Sequence, residues 1–491
     1  MSKFNKTAKE TQKVNRTPNS TNMAGGAAYS RDSIKQDIAT TILSSMLKGD
    51  SFYESEKDRL HRIELMISDE KLSEFTAKAM VYARTVGNLR SISHFLAAIL
   101  AENVKGSTFL RPALGKTFIR PDDLTETLSL WNSRNDSNIP NVLRRAFKDS
   151  LETFDNYQLK KYSGEKRSVK LRDVVKIARP VPTERANFKA LIEGTLPNIA
   201  TAQTVNAGST GAERASNYKA MLKERKLGYM AALKNIRNIL NAGADEETIE
   251  MLCSLFENEK ACLNSKCLPF RFTDAYREIK DLNFDRFLIK KLISSVEVGF
   301  KISARNTGLV EGNEKIAILL DESGSMSGKP FEVGKTLMAA MLTGLNTDNA
   351  IGYCWSDYSR EVSVNGSPFD FIDRTRTTGG GTNLAGSFKG LMDSKTKVDV
   401  IVIFTDMQQN YFSGGYSGNI DTMVAEYRKI SPNVKIMFWN LEGYGGGTPL
   451  KLNKDILEVS GYSDKILEVA AKMLKYSDVN YLVKEIEAIK L

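Results

Sequence analysis

Histidine and cysteine are scarce in this chain, whose 491 residues include two histidines and four cysteines. Both histidines, His61 and His94, come early in the sequence, so catalysis by an imidazole base has few places in the rest of the chain. The cysteines lack the paired C-x-x-C spacing of a zinc site and are too sparse for a disulfide framework. We therefore expect structural, reduced thiols in a cytoplasmic protein.

Long apolar runs are absent as well. No stretch approaches the roughly 18 to 20 apolar residues that span a bilayer, and the N-terminus lacks the apolar core of a secretory signal. We expect no membrane partner. We also expect residues 1–25 to form a disordered, basic arm.

Acidic residues are outnumbered by basic ones. Lys and Arg total 69 against 59 for Asp and Glu, which gives a formal net charge of +10. Such a surplus favours a polyanionic partner such as nucleic acid, although a basic soluble protein without such a partner would have it too.

The apolar pattern changes once along the chain. Residues 26–305 carry apolar side chains at helical spacing, as in SIKQDIATTILSSMLKG, and this predicts a stacked array of helices. In residues 312–491, short apolar runs such as EKIAILLD and VDVIVIFTD alternate with helical stretches and predict a doubly wound α/β sheet. Ligands of such sheets bind at the carboxyl ends of strands, where Asp321 and Asp406 lie.

The stretch LLDESGSMSGKP, residues 319–330, allows several interpretations. A serine nucleophile would need a base, but both histidines belong to the helical part, and Met326 stands where the elbow serine of a hydrolase belongs. A phosphate loop of a nucleotide hydrolase would use Lys335, but the spacing G-x5-G-K-T has one residue too many. The serines could also cap the following helix.

A metal site uses more of these residues. In an extended turn, Asp321, Ser323 and Ser325 point the same way and offer one carboxylate and two hydroxyls. Thr382 in GGGTN and Asp406 in FTD add two further oxygens. Hard oxygen ligands of low total charge suit Mg²⁺. None of these groups is a base or a nucleophile, so the site predicts binding and not an enzyme.

The loops DESGSM, GGGTN and FTD resemble the three loops of a von Willebrand factor A domain with its metal-ion-dependent adhesion site (MIDAS). The resemblance covers about residues 312–491. It implies Mg²⁺ or Mn²⁺ with an open coordination position for a carboxylate or another anion of a partner. A metal-dependent protein adhesion module is therefore an alternative function for the chain.

Basic residues crowd into residues 160–179, where Glu165 and Asp173 are the acidic ones. The basic set is Lys160, Lys161, Lys166, Arg167, Lys170, Arg172, Lys176 and Arg179. Their density fits neutralisation of RNA phosphates, although a solvated helical face would give the same pattern. A second basic set is Lys219, Lys223, Arg225, Lys226, Lys234 and Arg237.

Further stretches, among them FTAKAMVYARTVGNLRSISHFLAAILA, KLRDVVKIARPVP and CLPFRFTDAY, resemble in order the TROVE module of the Ro autoantigen family. The resemblance implies a ring of HEAT-like helical repeats closed by a Rossmann-like von Willebrand factor A domain. Where the family places a histidine ahead of the proline of KIARPVP, this chain has Arg179. We assign no RNA role to Arg90 in VGNLR or to Arg271 in PFRF, since both could simply hold helix turns together.

The same resemblance implies a function. Proteins of the family are ribonucleoproteins that bind a small structured noncoding (Y-like) RNA outside the ring. They take single-stranded 3′ ends of misfolded RNAs through the central hole, and bacterial members can work with an exoribonuclease. We therefore expect a monomeric, cytoplasmic RNA-binding scaffold that acts in RNA quality control or decay.

Overall fold

Helices fill the chain from residue 34 to residue 305, and a large sheet follows them. The computed structural model describes residues 18–45, 47, 50–104, 106–135, 138–164, 167–180, 186–197, 210–305, 314–344, 349–410, 420–461 and 464–491. The helices of the first part are α1 (Ile34–Ser44), α2 (Glu56–Ile67), α3 (Ser73–Thr85), α4 (Arg90–Asn103), α5 (Leu110–Thr117), α6 (Pro121–Arg134), α7 (Asn141–Thr153), α8 (Asn156–Tyr162), α9 (Leu171–Ala178), α10 (Ala186–Glu193), α11 (Gly211–Lys223), α12 (Tyr229–Asn241), α13 (Glu246–Glu257), α14 (Glu259–Ser265), α15 (Pro269–Ile279) and α16 (Arg286–Arg305).

Local capping and tertiary stacking together build this helical part. Ser33 and Ser55 accept backbone N–H groups at the starts of α1 and α2, and Thr210 forms a capping box with Glu213 at the start of α11. Helix α3 packs on α4 and α5, α4 on α6, and α5 on α7. Such alternate packing stacks pairs of helices into a solenoid. No helix among the described residues is both long and apolar enough to span a bilayer.

The second part is a doubly wound sheet. Its strands are β3 (Ile316–Asp321), β4 (Ala350–Trp355), β5 (Ser359–Val362), β6 (Val400–Thr405), β7 (Lys435–Asn440) and β8 (Ile456–Ser460), preceded near the N-terminus by β1 (Ser20–Thr21) and β2 (Ala27–Ala28). Its helices are α17 (Lys329–Gly344), α18 (Pro368–Arg374), α19 (Leu384–Asp393), α20 (Ile420–Tyr427), α21 (Asp464–Tyr476) and α22 (Tyr481–Glu487).

The sheet has the strand order β5-β4-β3-β6-β7-β8. All neighbouring strands are parallel except β5, which pairs antiparallel with β4 at one edge. Strands β3 and β6 are buried along their whole length, as their continuous apolar runs predict. The chain leaves β3 toward β4 and later returns on the other side to form β6. The switch point of the fold, where ligands of such sheets bind, therefore lies between β3 and β6.

Both ends of the helical part pack against the sheet part. At the first end, α1 contacts β8 and α22, and α22 also contacts α3. At the other end, α15 and α16 contact α17. The chain thus closes a ring in which the sheet part joins the two ends of the helical array. The fold-class prediction, a helical-repeat ring closed by a doubly wound α/β domain, is confirmed.

Buried and half-buried charge pairs hold the two junctions. At the first junction, Arg31 Nε and Nη2 each donate to a carboxylate oxygen of Glu458 at 2.7 Å, and both side chains are 3% exposed. At the second junction, Lys280, which directly follows α15, donates to Asp373 of α18 at 2.7 Å. Planar, bidentate pairing of the first kind fixes orientation as well as distance.

The N-terminal hairpin of β1 and β2 corrects one expectation. Residues 18–25, which we expected within a disordered arm, are ordered, and residues 1–17 lie outside the described part of the chain. Immediately after the hairpin, Tyr29 pairs with Thr448 of the sheet part through two backbone hydrogen bonds, 2.9 and 2.8 Å long. Strands of two residues are too short to show an alternating pattern of apolar and polar side chains, so the sequence could not predict this hairpin.

The bidentate pair at the first junction gives a stability prediction. Arg31→Met removes one partner and leaves Glu458 buried without its guanidinium, so we expect a loss of about 3 to 5 kcal/mol in the free energy of unfolding. Urea unfolding followed by circular dichroism measures it. The control is Arg111→Ala, which breaks the exposed pair with Asp149 and should cost far less stability, because solvent screens an exposed ion pair. Equal losses in both variants would contradict a special role for Arg31.

Candidate functional site

A basic cavity of about 670 Å³ lies where the two halves of the helical array face each other beside the sheet part. Its walls come from the α3–α4 turn, the start of α6, the start of α12, the α14–α15 turn and the start of α17. The basic residues that line it are Arg84, Arg90, Arg120, Lys234, Lys266, Arg271 and Lys329. No acidic residue lines it within the described part of the chain.

Two neighbouring carboxylates behind the wall hold some of these arginines in place. Arg84 donates to both oxygens of Asp123 at 2.8 and 3.2 Å, and Arg90 donates to Asp122 at 2.6 Å. His94 Nε2 lies 2.8 Å from Asp123 Oδ1. Burial alone would raise the pKa of Asp123, but the hydrogen bonds with His94 and Arg84 outweigh burial and lower it. The arginines are therefore fixed before any ligand arrives, which reduces the entropy lost on binding.

The lysines of the cavity, unlike Arg84 and Arg90, have no carboxylate beside them, in the described part of the chain, to balance their charge. Lys234, Lys266 and Lys329 have no ion-pair partner among the described residues. Burial lowers the pKa of Lys234, and the charges of Arg271 and Arg120 lower it further. Like charges that converge in a half-buried space raise the local positive potential, and a polyanion that enters the space relieves their repulsion.

The predicted basic set of residues 160–179 lies on α8, on α9 and on the turn between them. Lys166 lies outside the described residues. Lys160 donates to the backbone oxygen of Leu196 at 2.8 Å, and Arg167 pairs with Glu126 at 3.0 Å, so both cations already have partners. Lys161 does not line the basic cavity, but its charge adds to those that lower the pKa of Lys234.

The rest of this set follows along α9. Lys170 precedes the helix, Arg172 lies in its first turn, and Lys176 is exposed in its last turn. Arg179, exposed and left-handed at φ 49°, ends the helix. Lys176 and Arg179 are thus both exposed at the C-terminal end of α9, but the structure does not gather the described members of the set into one site.

Acidic partners neutralise most of the second basic set. Lys219 lies 2.5 Å from both Asp245 and Glu247, Lys223 pairs with Glu247 at 2.8 Å, and Arg237 pairs with Glu278 at 2.9 Å. Most of this set is therefore a solvated face of paired charges. Two members differ: Lys234 lines the cavity, and Arg225 is exposed without an ion-pair partner among the described residues.

The five predicted metal ligands come together at the switch point of the sheet. Asp321 ends β3, and Asp406 directly follows its parallel neighbour β6. The loop that carries Thr382 joins both strand ends, through a hydrogen bond from Gly379 N to Glu322 O and another from Asn410 N to Thr382 O. The predicted ligands Asp321, Ser323, Ser325, Thr382 and Asp406 are all buried.

The hydrogen bonds of the loop test the capping interpretation. Asp321 Oδ1 accepts the backbone N–H of Ser323 at 2.9 Å, as that interpretation expects. The side chain of Ser323 makes no capping bond, however, and its hydroxyl lies 3.3 Å from the Ser325 hydroxyl. Capping therefore accounts for one carboxylate oxygen and not for the paired hydroxyls.

The electrostatics of this cluster fit a divalent cation. Asp321 and Asp406 are fully buried and have no cationic partner among the described residues. Burial raises the pKa of both carboxyls, and the charge of Asp406 raises that of Asp321 further. One oxygen of Asp406, Oδ2, is buried without any hydrogen bond. Two buried carboxylates need a counter-charge, and the surrounding hydroxyls supply the neutral oxygens that Mg²⁺ accepts.

The lysine of the near-miss phosphate loop is committed elsewhere. Lys335 is 1% exposed, lies 2.8 Å from Glu332 and donates to the backbone oxygen of Thr375 at 3.3 Å. A phosphate-loop lysine has to reach the phosphates in front of the loop. In this conformation, the Lys335 ammonium is therefore not positioned for a nucleotide.

Sequence reasoning missed most of the cavity. Arg84, Arg120, Lys266 and Lys329 belong to no basic cluster along the chain, so their convergence is purely tertiary. A usable signal existed in VGNLR and PFRF, the family-like stretches that contain Arg90 and Arg271.

Comparisons with known proteins cover both parts of the chain. The TROVE domain family matches residues 39–209 and 206–307. Telomerase protein component 1 of Rattus norvegicus is 22% identical over 293 residues, which cover 43% of this chain and 11% of that protein. The Mus musculus protein of the same name is 23% identical over 294 residues, with the same coverage. The chain thus spans only a small fraction of the length of these relatives.

A solved structure matches the whole architecture. The crystal structure of Deinococcus radiodurans Ro (RSR) protein aligns with a TM-score of 0.60 at 14% identity, and the alignment covers 90% of this chain and 99% of that one. At this identity the match demonstrates a shared fold. Because the family match extends over more than half of the chain, the protein belongs to the TROVE domain family, whose members are in general RNA-binding components of ribonucleoproteins.

Proposed function

We propose that this protein is an RNA-binding scaffold whose central cavity takes single-stranded 3′ ends of misfolded RNAs. The observation that carries the proposal is the cavity wall, which has seven basic side chains and no acidic one among the described lining residues. Neutralisation of phosphates by such side chains releases counterions and supplies affinity without reading sequence.

The form of the cavity favours a strand end over a duplex. Its volume of about 670 Å³ lies in the range of sites that enclose small ligands, and a helical duplex is far wider. Phe270 lines the wall with the guanidinium of Arg271 lying 5.6 Å from its ring centroid, so a base can stack beside a phosphate contact. Such recognition tolerates any sequence.

A structured RNA needs a different surface. We propose that the outer end of α9, with Lys176 and Arg179, contributes to binding of a small structured noncoding (Y-like) RNA. Arginine in place of the family histidine keeps a phosphate contact but offers no neutral imidazole. A scaffold that holds one RNA outside and the end of another inside fits a role in RNA quality control or decay, with an exoribonuclease as a further partner.

The sheet part fits a von Willebrand factor A domain with a MIDAS-like site for Mg²⁺ or Mn²⁺. We propose that Asp321, Ser323, Ser325, Thr382 and Asp406 hold the cation. When bound, it would balance the two buried carboxylates and present one coordination position to an anionic group. We further propose that the protein is a monomeric ring and that it works in the cytoplasm. The four free, buried cysteines support a reducing compartment of this kind.

The cavity proposal predicts a loss of single-stranded RNA binding. In Lys234→Ala combined with Lys329→Ala, two phosphate contacts disappear, so we expect the affinity for a uridine oligonucleotide to fall about tenfold or more. The salt slope of the binding constant should flatten by about 1.4, at roughly 0.7 for each phosphate contact. Fluorescence anisotropy at several salt concentrations measures both quantities.

A double variant of the same charge change controls for net charge. Lys223→Ala combined with Lys226→Ala removes two lysines that already pair with Glu247 and Glu224, at 2.8 and 2.6 Å. We expect little change in oligonucleotide affinity. If the control loses as much affinity as the cavity variant, net charge governs binding and the cavity proposal fails.

The outer-surface proposal predicts the opposite selectivity. Lys176→Ala combined with Arg179→Ala should weaken binding of a hairpin RNA without a single-stranded tail, because contacts to a folded RNA are lost. The affinity for the uridine oligonucleotide should stay unchanged. Competition between the two RNAs in a gel-shift assay separates these effects, and equal loss for both RNAs would mean that both depend on the end of α9, which contradicts separate sites.

The metal proposal predicts a cation-dependent stabilisation. Mg²⁺ or Mn²⁺ at 100 times its dissociation constant should stabilise the protein by about 2.7 kcal/mol, which raises the melting temperature. Asp321→Ala should abolish this shift without changing oligonucleotide affinity. Asp393→Ala is the control, since Asp393 is a mostly exposed aspartate of the same domain. A wild-type protein that shows no shift with either cation would support helix capping as the role of the loop.

A further inference from the structure

A segment of the helical part lies against the MIDAS-like site. Residues 51–54 connect α1 to α2, and Tyr53 packs its ring against Tyr444 with centroids 5.5 Å apart. The loop that carries Tyr444 lies at the end of β6, because Leu441 N donates to the backbone oxygen of Thr405 at 3.0 Å, one residue before Asp406. The ring contact therefore places Tyr53 at the strand end that carries a proposed cation ligand. Burial and the charge of Asp406 raise the pKa of Tyr53, while a hydrogen bond with Ser325 opposes that rise, which agrees with this position.

Buried charges fasten this segment to the sheet part. Arg62 of α2 donates to both carboxylate oxygens of Glu54 at 2.7 and 2.9 Å, and it also donates to the backbone oxygen of Gly443 at 2.7 Å. Arg59 adds a contact of 3.4 Å with Glu54, whose side chain is 4% exposed. Arg59 also lies 3.9 Å from Glu442, so two arginines join the segment to the loop that follows β7.

The loop after β7 is itself held tightly. A Cβ atom added at Gly443 would lie 2.5 Å from the hydroxyl of Ser45, just after α1, so only glycine fits between the two parts. The neighbouring Glu442 is buried, and its pKa is raised to about 7 by burial and by the charges of Asp406 and Glu54, against the effect of Arg59. The carboxyl edge of the sheet is therefore covered on this side by the chain itself.

We propose that residues 51–54 form a lid over the MIDAS-like site, so that the open coordination position faces Tyr53, and a carboxylate of another molecule reaches it only when the lid lifts. The inference rests on the proposed cation site. In this proposal, the helical part of the same chain covers the open coordination position before any partner binds. Phe52 is 65% exposed and offers an apolar contact surface, so a partner that binds this side chain can displace the lid.

The first test locates the lid in the unmodified, full-length protein. Fe²⁺ takes the place of the cation, ascorbate and peroxide generate hydroxyl radicals at the ion, and mass spectrometry maps the cuts. We expect cuts near Asp321, near Asp406 and within residues 51–54, all lost in Asp321→Ala. Cuts at the two aspartates without cuts in residues 51–54 would overturn the lid and leave the cation site intact. No cuts at either aspartate would overturn the cation site itself and the lid with it.

The second test asks whether the segment controls access. Water-proton relaxation by bound Mn²⁺ reports exchanging water on the ion. In Tyr53→Ala we expect the enhancement per bound Mn²⁺ to rise roughly twofold as another water reaches the octahedral shell. Leu65→Ala, which changes a 62% exposed leucine on the adjoining α2, should match the wild type. Equal enhancement in all three proteins, each saturated with Mn²⁺, would overturn the lid.

Discussion

The buried ion pair between Arg31 and Glu458 joins the start of the helical array to the last strand of the sheet. Replacing such a pair by apolar residues is often neutral, whereas removing one partner is costly. The pair therefore contributes less to net stability than to the choice of one geometry. That geometry is closure: the array begins and ends on the sheet part, and the cavity is the space that the closed chain encloses.

Closure concentrates charge of opposite sign on the two sides of one loop. Asp321, one of the proposed metal ligands, ends β3 just before this loop, and Lys329 at the cavity wall follows it at the start of α17. Two like charges about 8 Å apart repel by about 2 kcal/mol at an effective dielectric constant of 20. Repulsion between the unpaired lysines disfavours a cavity without a ligand, and repulsion between the two buried carboxylates disfavours a proposed metal site without a cation. A polyanion in the cavity would relieve the first repulsion, and a divalent cation would relieve the second.

The strands could be predicted from the sequence because their signal is local. The run EKIAILLD carries its burial in its own composition, and the position of Asp321 at its end follows from the strand. Strand β5 and the hairpin of β1 and β2 gave no such signal, since strands of two to four residues are too short to show a burial pattern.

The charged sites divide in the same way. The proposed metal ligands Asp321 and Asp406 lie at strand ends and could be found from the strands, whereas the cavity unites Arg90 and Arg271 across about 180 positions of sequence. The density of basic residues along the chain was also a poor guide to an RNA-binding surface. Lys219 and Lys223 belong to a dense basic stretch, but Glu247, which neutralises both, comes from a different helix. Density along the sequence counts cations, while a binding surface depends on which cations lack a partner after folding.

Lys335 illustrates how closure decides what a motif does. In the sequence, a glycine, this lysine and a threonine follow a strand and open a helix, much as in a phosphate loop. In the fold, Lys335 pairs with Glu332, which also accepts a hydrogen bond from Arg277 of the helical part. The lysine is therefore held within the sheet part, by the glutamate that receives Arg277 across the second junction and by the backbone oxygen of Thr375. The polar contacts that close the ring at this end thus share a glutamate with the lysine, and the glutamate keeps the lysine ammonium away from the place where a nucleotide would require it.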